Sequence, residues 1–114
     1  MSAWSSPDVV RAALNSDEEM QVGLRAALEF VESKKIPEYE RCMLKVNSAI
    51  ENEKLLLQEE NFPDKKFIDL IESDVQWKQC MIRDLPIPAT PDQIKAILTL
   101  VKSRPFLASL GKYK

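Results

Sequence analysis

Apolar residues recur at steps of three and four along most of the chain, the spacing of a single buried helical face. Ser6-Pro7-Asp8 predicts the start of a short first helix, because proline is tolerated in the first helical turn. Ser16-Asp17-Glu18-Glu19 is typical of a capping box, which predicts a second helix with a buried stripe from Met20 to Val31. That helix is expected to end at Ile36-Pro37, since a residue before proline disfavours the helical conformation.

The same spacing predicts further helices downstream. A third begins near Pro37 or Glu38 and carries an apolar side made of Tyr39, Met43, Val46 and Ile50. Phe62-Pro63-Asp64 opens a fourth. Thr90-Pro91-Asp92-Gln93 is a second capping signal, ahead of the stripe Ile94, Ile97, Leu98 and Val101. A last turn from Pro105 is expected to end at Gly111.

The segment from Val75 to Arg83 departs from helical spacing, because its apolar residues partly alternate. Pro86 and Pro88 follow, and proline fits neither a helix interior nor a central strand. We therefore predict that the fourth helix gives way to short strands here. The predicted fold class is α+β, predominantly α. It is a compact bundle of about five helices with a small two- or three-stranded sheet near residues 76–88, in one domain over residues 1–114.

Composition narrows the class of partner. The 16 basic and 18 acidic residues are interleaved and give a net charge of -2, so nucleic acid is a poor candidate. No apolar stretch approaches the length that crosses a bilayer, and the first residues lack the charged start and apolar run of a signal peptide. We expect a cytoplasmic protein, with the nucleus as an alternative, whose Cys42 and Cys80 are buried free thiols.

The residues that carry catalysis or hold cofactors are scarce. The chain has no histidine and only two glycines, which excludes the common Cys/His zinc sets, a Cys–His nucleophile pair and a glycine-rich phosphate loop. Its carboxylates stand in charged runs such as Glu59-Glu60, typical of solvated helix faces. We predict no enzyme activity, no cofactor and no metal.

The run from Tyr39 to Ile50 resembles the PUB (PUG) domain, found in peptide N-glycanase and in UBA- or UBX-containing proteins. Arg41, Met43, Asn47 and Ile50 fall on the arginine, isoleucine, asparagine and phenylalanine of that family's asparagine-bearing helix. The flanking helices, near Ser6 to Val31 and Thr90 to Val101, are similar as well. The chain departs from the family at Leu44, where a second arginine is common, and at Asp74-Val75, where the family has Gly-Phe.

The resemblance implies a module of the ubiquitin–proteasome pathway or of ER-associated degradation. PUB domains bind a short peptide, such as the C-terminal tail of the AAA segregase ATPase valosin-containing protein. Met43 would line the apolar pocket and Asn47 would hold the peptide backbone. Lys45 or Lys54 would replace the absent arginine. Asp74 and Val75 would form the far wall.

Other interpretations stay open at this point. Met43 could be a core residue, Arg41 could pair with Glu38 or Glu40, and Trp77 could be half-buried in the sheet or an exposed anchor. The alternative function is a helical scaffold or dimerisation domain that uses an exposed apolar groove, for which the α-helical stripe from Ile94 to Val101 is the best support. A third alternative is a small viral or parasite effector that mimics a host helical fold, and no residue of the sequence is diagnostic of it. We expect a monomer, either complete or the leading domain of a longer protein such as a glycanase.

Overall fold

The computed structural model describes residues 5–113, apart from the side chains of Pro105 and Leu107. Residues 1–4, which begin the segment used in the signal-peptide argument, lie outside it. The regular elements of the described part are α1 (Ser6–Glu32), α2 (Ile36–Leu55), a 3₁₀ turn (Leu56–Gln58), α3 (Lys65–Arg83), α4 (Pro91–Ser103) and α5 (Pro105–Gly111). None of these helices combines the length and apolarity needed to cross a bilayer.

The sheet predicted near residues 76–88 is wrong, because α3 continues to Arg83 and no strand occurs in residues 5–113. The buried face of α3 advances in steps of three and four from Phe67 through Val75 to Lys78. Lys78 explains the error, since a charged residue on a buried face hides the helical spacing from a hydrophobic pattern. Pro86 and Pro88 lie beyond the end of the helix. The described chain is all-helical, not α+β.

The predicted break before Ser16 is also wrong, because α1 is one helix of 27 residues. Ser16 lies in its interior, where the hydroxyl donates a hydrogen bond to the carbonyl of Ala12 at 2.9 Å. The capping box that starts the helix is formed by Ser5 and Asp8. Asp17, which resembled a capping residue in the sequence, is buried in the protein interior.

The remaining helix starts are confirmed. Pro37 lies in the first turn of α2. Asp64 caps α3 by accepting a hydrogen bond from the backbone N–H of Phe67 at 2.9 Å. Thr90 and Gln93 form the predicted capping box of α4, so both backbone N–H groups are satisfied at that end.

The core lies where α1 packs along α2, with α3 against α2, and with α4 and α5 against α1. The apolar stripe of α4 faces this core, since Ile94, Ile97, Leu98 and Val101 are all buried. The stripe is therefore no exposed surface for dimerisation. Cys42 is a buried free thiol as predicted, whereas Cys80 is free but exposed.

Helices α1 and α2 approach each other closely at Gly23. A Cβ atom placed on this residue would lie 2.8 Å from Cγ2 of Val46, well inside the ordinary separation of nonbonded carbon atoms. Val46 is completely buried and branched, so its methyl group has little room to move. The absence of a side chain at Gly23 thus sets the distance between the two longest helices.

We expect Gly23→Ala to lower the free energy of unfolding by about 1–3 kcal/mol, because overpacking at Val46 outweighs the better helix propensity of alanine. Urea denaturation measures the change. Gly111→Ala is the matched control, since a Cβ there meets nothing within 4 Å and should not destabilise. The cost of Gly23→Ala should shrink in a Val46→Ala background; an equal cost in both backgrounds would contradict the steric explanation.

Candidate functional site

A groove between α2 and the end of α3 forms a concave surface with a volume of about 710 Å³. We call it the α2–α3 groove. One wall is formed by α2 through Glu40, Met43, Leu44 and Asn47, the other by Gln79, Ile82 and Arg83 of α3. The segment Leu85–Ile87 closes one end. Most of the lining is apolar, which suits the burial of a ligand's hydrocarbon group.

The end wall of the groove is held by a long-range hydrogen bond. The backbone N–H of Ala89 donates to the hydroxyl of Tyr39 at 3.1 Å, and both residues are buried. This bond joins α2 to the segment after α3, across 50 positions of sequence. Gln79 donates to the carboxylate of Glu51 at 3.2 Å and links the two side walls. The groove is consequently a defined hollow between tethered elements.

The mouth of the groove exposes two large apolar side chains. Leu44 is 66% exposed and Ile87 is 82% exposed, although full burial of such a side chain is worth about 1.5–3 kcal/mol. Arg83 supplies a cation at the same site, and its closest acid is the exposed Asp84, 3.7 Å away. That contact is weak, so the guanidinium remains available to a carboxylate.

The predicted site residues fall into four places. Met43 and Asn47 both line the α2–α3 groove. Lys54 is exposed on the same side of α2, eleven residues or about three turns after Met43, but is not part of the lining. Lys45 faces a different groove, between α1 and α2. Asp74 and Val75 are buried in the core, and the structure does not bring them to the groove.

Arg83 and Ile87 are groove residues that the sequence reasoning missed. Both omissions result from the wrong strand prediction, which placed these residues in a sheet. Arg83 instead ends α3, and Ile87 lies in the segment after it. The two prolines at 86 and 88 were the available signal, because they enforce an extended segment immediately after a helix. Arg41, which the resemblance aligns with the family's arginine, instead pairs with Glu38 at 3.3 Å.

A second cluster of functional groups is buried in the core. The ammonium nitrogen of Lys78 lies 2.6 Å from a carboxylate oxygen of Asp17, 2.8 Å from one of Glu53 and 2.7 Å from one of Asp74. The four side chains are at most 2% exposed. The ring centroid of Phe106 lies 4.7 Å from the same nitrogen. The ammonium group donates hydrogen bonds to Asp17 of α1 and Glu53 of α2, and Asp74 of α3 forms an ion pair with it.

Arg104 extends this cluster toward the surface. Its guanidinium Nε lies 3.4 Å from Asp74, and its plane covers the ring of Trp77 at 3.8 Å. Trp77 is therefore half-buried as one interpretation of the sequence had it, but on a helix under a guanidinium group and not in a sheet. Lys78 and Arg104 together provide two positive charges against three carboxyl groups.

Glu53 balances the charge by holding a proton. Burial raises the pKa of its carboxyl group to about 8, with Lys78 opposing the shift and Asp74 reinforcing it. A proton retained by Glu53 removes one negative charge from the cluster. Oε2 of Glu53 and both oxygens of Asp74 otherwise lack a hydrogen bond. A proton on Oε2 can be donated to Asp74, a contact that itself favours the raised pKa.

The enclosed cluster is best understood as structural. Lys78 keeps its charge, since the surrounding carboxylates raise its pKa to about 12 against the opposing effect of burial. No groove described above is lined by these four side chains. In the described residues, no group of acids and cysteines is placed to hold a metal ion. Buried charges of this kind are costly unless every partner is present.

Comparisons of the chain with protein-family models, with curated proteins and with solved structures find no match.

We expect Lys78→Met to lower the free energy of unfolding by about 3–5 kcal/mol, because it leaves Asp17 and Asp74 buried without their cation. Denaturant titration at pH 7 measures the loss. The exposed Lys66→Met is the control and should change stability little. Unchanged stability of Lys78→Met would show that the cluster is not a structural necessity.

Glu53 should also make stability depend on pH. Its folded pKa of about 8 lies above the value of about 4.3 expected in the unfolded chain, so between these values the folded state retains a proton that the unfolded state has lost. Its contribution to the free energy of unfolding therefore falls as pH rises through this window, by at most about 1.4 kcal/mol per pH unit.

Glu53→Gln should remove this dependence, because the amide does not titrate yet can still donate to Asp74. We expect the variant to match the wild type near pH 5 and to be more stable near pH 8, as measured by urea denaturation across that range. Glu72→Gln, at an exposed position of α3, should leave the wild-type profile intact. Parallel profiles for Glu53→Gln and the wild type would contradict a protonated Glu53.

Proposed function

We propose that this chain is a non-catalytic interaction protein that binds a short peptide in the α2–α3 groove. The observation that carries the proposal is the combination of a hollow of about 710 Å³ with exposed Leu44 and Ile87 at its mouth. Such exposed apolar side chains around a concave surface are typical of protein-interaction sites. Asn47 and Arg83 add the polar groups that would orient a bound segment.

The groove suits a peptide with an apolar side chain close to a carboxylate. The hydrocarbon part would contact Met43, Leu44 and Ile82 within the groove. The amide of Asn47 would donate to and accept from the peptide backbone, and the guanidinium of Arg83 would bind the carboxylate. Arg83 thereby takes the role that the sequence interpretation gave to Lys45 or Lys54. Lys54, on the same side of α2, would attract further acidic residues of the peptide.

The acidic C-terminal tail of the AAA segregase ATPase is the peptide we propose to test first. This choice comes from the likeness of Tyr39–Ile50 to the PUB helix and from the placement of Met43 and Asn47 in the groove. The absent sheet weighs against a PUB fold, so the choice rests on the likeness of this one helix and on the chemistry of the groove. With that partner, the protein would act in the cytoplasm as an adaptor of the ubiquitin–proteasome pathway.

Titration of ¹⁵N-labelled protein with the tail peptide, followed by amide chemical shifts, tests the proposal. We expect shifts to cluster on Met43, Asn47, Arg83 and Ile87. Arg83→Gln and Asn47→Ala should each weaken binding by about tenfold, the usual effect of losing one hydrogen bond to a charged group or to a backbone. A peptide with an amidated C-terminus should lose affinity for the wild type but little for Arg83→Gln.

Leu44→Asp is the test of the apolar contact and should also weaken binding by at least about tenfold. Leu100→Asp is its matched control, because Leu100 is 49% exposed on α4 and does not line the groove. Far-UV circular dichroism checks that each variant folds. A spectrum unchanged at millimolar peptide would refute the choice of the segregase tail. Shifts confined to residues outside the groove would refute the site.

A further inference from the structure

A second groove lies on the other side of α2, between it and α1, and has a volume of about 540 Å³. We call it the α1–α2 groove. Its floor consists of small residues, among them Gly23, Ala26 and Ala49. Val22 stands beside this floor and is 51% exposed. This face thus places the exposed side chain of Val22 next to a shallow hollow that could accommodate an apolar side chain of similar size.

The same groove carries charges of both signs that have no ion-pair partner among residues 5–113. Glu18 and Glu19 line it on α1, and Lys45 lines it on α2. All three side chains are exposed, and none forms an ion pair within 4 Å among the described residues. The groove therefore presents both an anion and a cation to whatever covers it.

The two charges lie at different levels along the groove. Gly23 is in contact distance of Cys42 and Val46, which places Lys45 near the level of Val22 and Gly23 on the facing helix. Glu18 and Glu19 lie about four residues earlier on α1, a displacement of about 6 Å along the helix axis. Val22 lies at the basic level, and the midpoint between the two levels falls about 3 Å before it on α1.

This arrangement is self-complementary. A two-fold axis through the midpoint, perpendicular to the groove, exchanges its two ends. It would place Lys45 of each copy against Glu18 and Glu19 of the other, with the Val22 side chains of the two copies beside the axis. An isologous interface has this property, since one patch must match itself. A helix from a different protein would bind as well only if it carried a basic residue opposite Glu18 and Glu19 and an acidic residue opposite Lys45.

We propose that the α1–α2 groove is the interface of a homodimer, formed by a second copy of this chain. The proposal goes beyond peptide binding and does not rest on it, because the α2–α3 groove lies on the opposite side of α2 and stays open. It replaces the monomer expected from the sequence. With exposed ion pairs at its edge, the dimer should weaken as salt screens them.

Charge reversal tests the interface by sedimentation velocity from about 1 μM to 1 mM protein. Lys45→Glu places like charges against each other at both ends of the dimer, and so does the double variant Glu18→Lys/Glu19→Lys. We expect each alone to weaken self-association at least about tenfold. An equimolar mixture of the two should form a heterodimer, because both ends then pair opposite charges. Native mass spectrometry distinguishes the heterodimer from either homodimer.

Lys54→Glu and Glu72→Lys are the matched controls, since both positions are exposed and neither lines this groove. They should leave the dimer unchanged. A wild-type chain that stays monomeric at 1 mM in low salt would overturn the proposal. So would a dimer that is indifferent to the reversals, or a mixture that fails to associate. Peptide binding is tested with variants of the α2–α3 groove and dimerisation with variants of the α1–α2 groove. Either proposal can therefore fail while the other holds.

Discussion

The ammonium group of Lys78 is the constraint on which the rest of the structure depends. It meets an acid from each of α1, α2 and α3, and Arg104 and Phe106 join it from the end of the chain. None of these helices can leave without stranding a buried charge. The cluster therefore specifies how the helices are arranged more than it adds net stability. Apolar side chains of similar volume in place of the charged ones would fill the same space without the free-energy cost of removing charges from water. A partly folded state that pairs only some of these charges is little stabilised by them. This favours an all-or-none folding transition.

This arrangement leaves α2 as a partition between two exposed grooves. The α2–α3 groove is apolar at its mouth and carries Asn47 and Arg83, whereas the α1–α2 groove is shallow and holds both signs of charge. Their different chemistry follows from the neighbours of α2. On one side Gly23 lets α1 come close. On the other, α3 ends at Arg83, and the segment after it, tethered to Tyr39 through the backbone N–H of Ala89, closes the hollow.

The local features of the fold were predictable from the sequence where a cap or proline signal was unambiguous, as at Pro37, Asp64 and Thr90. Prediction failed wherever a polar residue was buried. Asp17 was placed in the first turn of a second helix, and Lys78 interrupted the apolar spacing of α3; both errors come from a partnership between residues 61 positions apart. Periodicity cannot reveal such a pair, because each residue is polar when considered alone. Helical spacing predicted half of the candidate site, because Met43 and Asn47 share one face of α2. Arg83 joins them only through the packing of α3, which the spacing does not show.

The stacking of Arg104 on Trp77 gives the protein an internal optical probe. The guanidinium that covers the indole at 3.8 Å also contacts Asp74, the acid shared with Lys78. Indole emission responds to the charge and solvent around the ring, so a rearrangement of the buried carboxylates will change the fluorescence of a tryptophan that is itself outside the cluster. Once Trp4 is replaced by phenylalanine, Trp77 is the one tryptophan left to follow the protonation state of the interior, with no label attached.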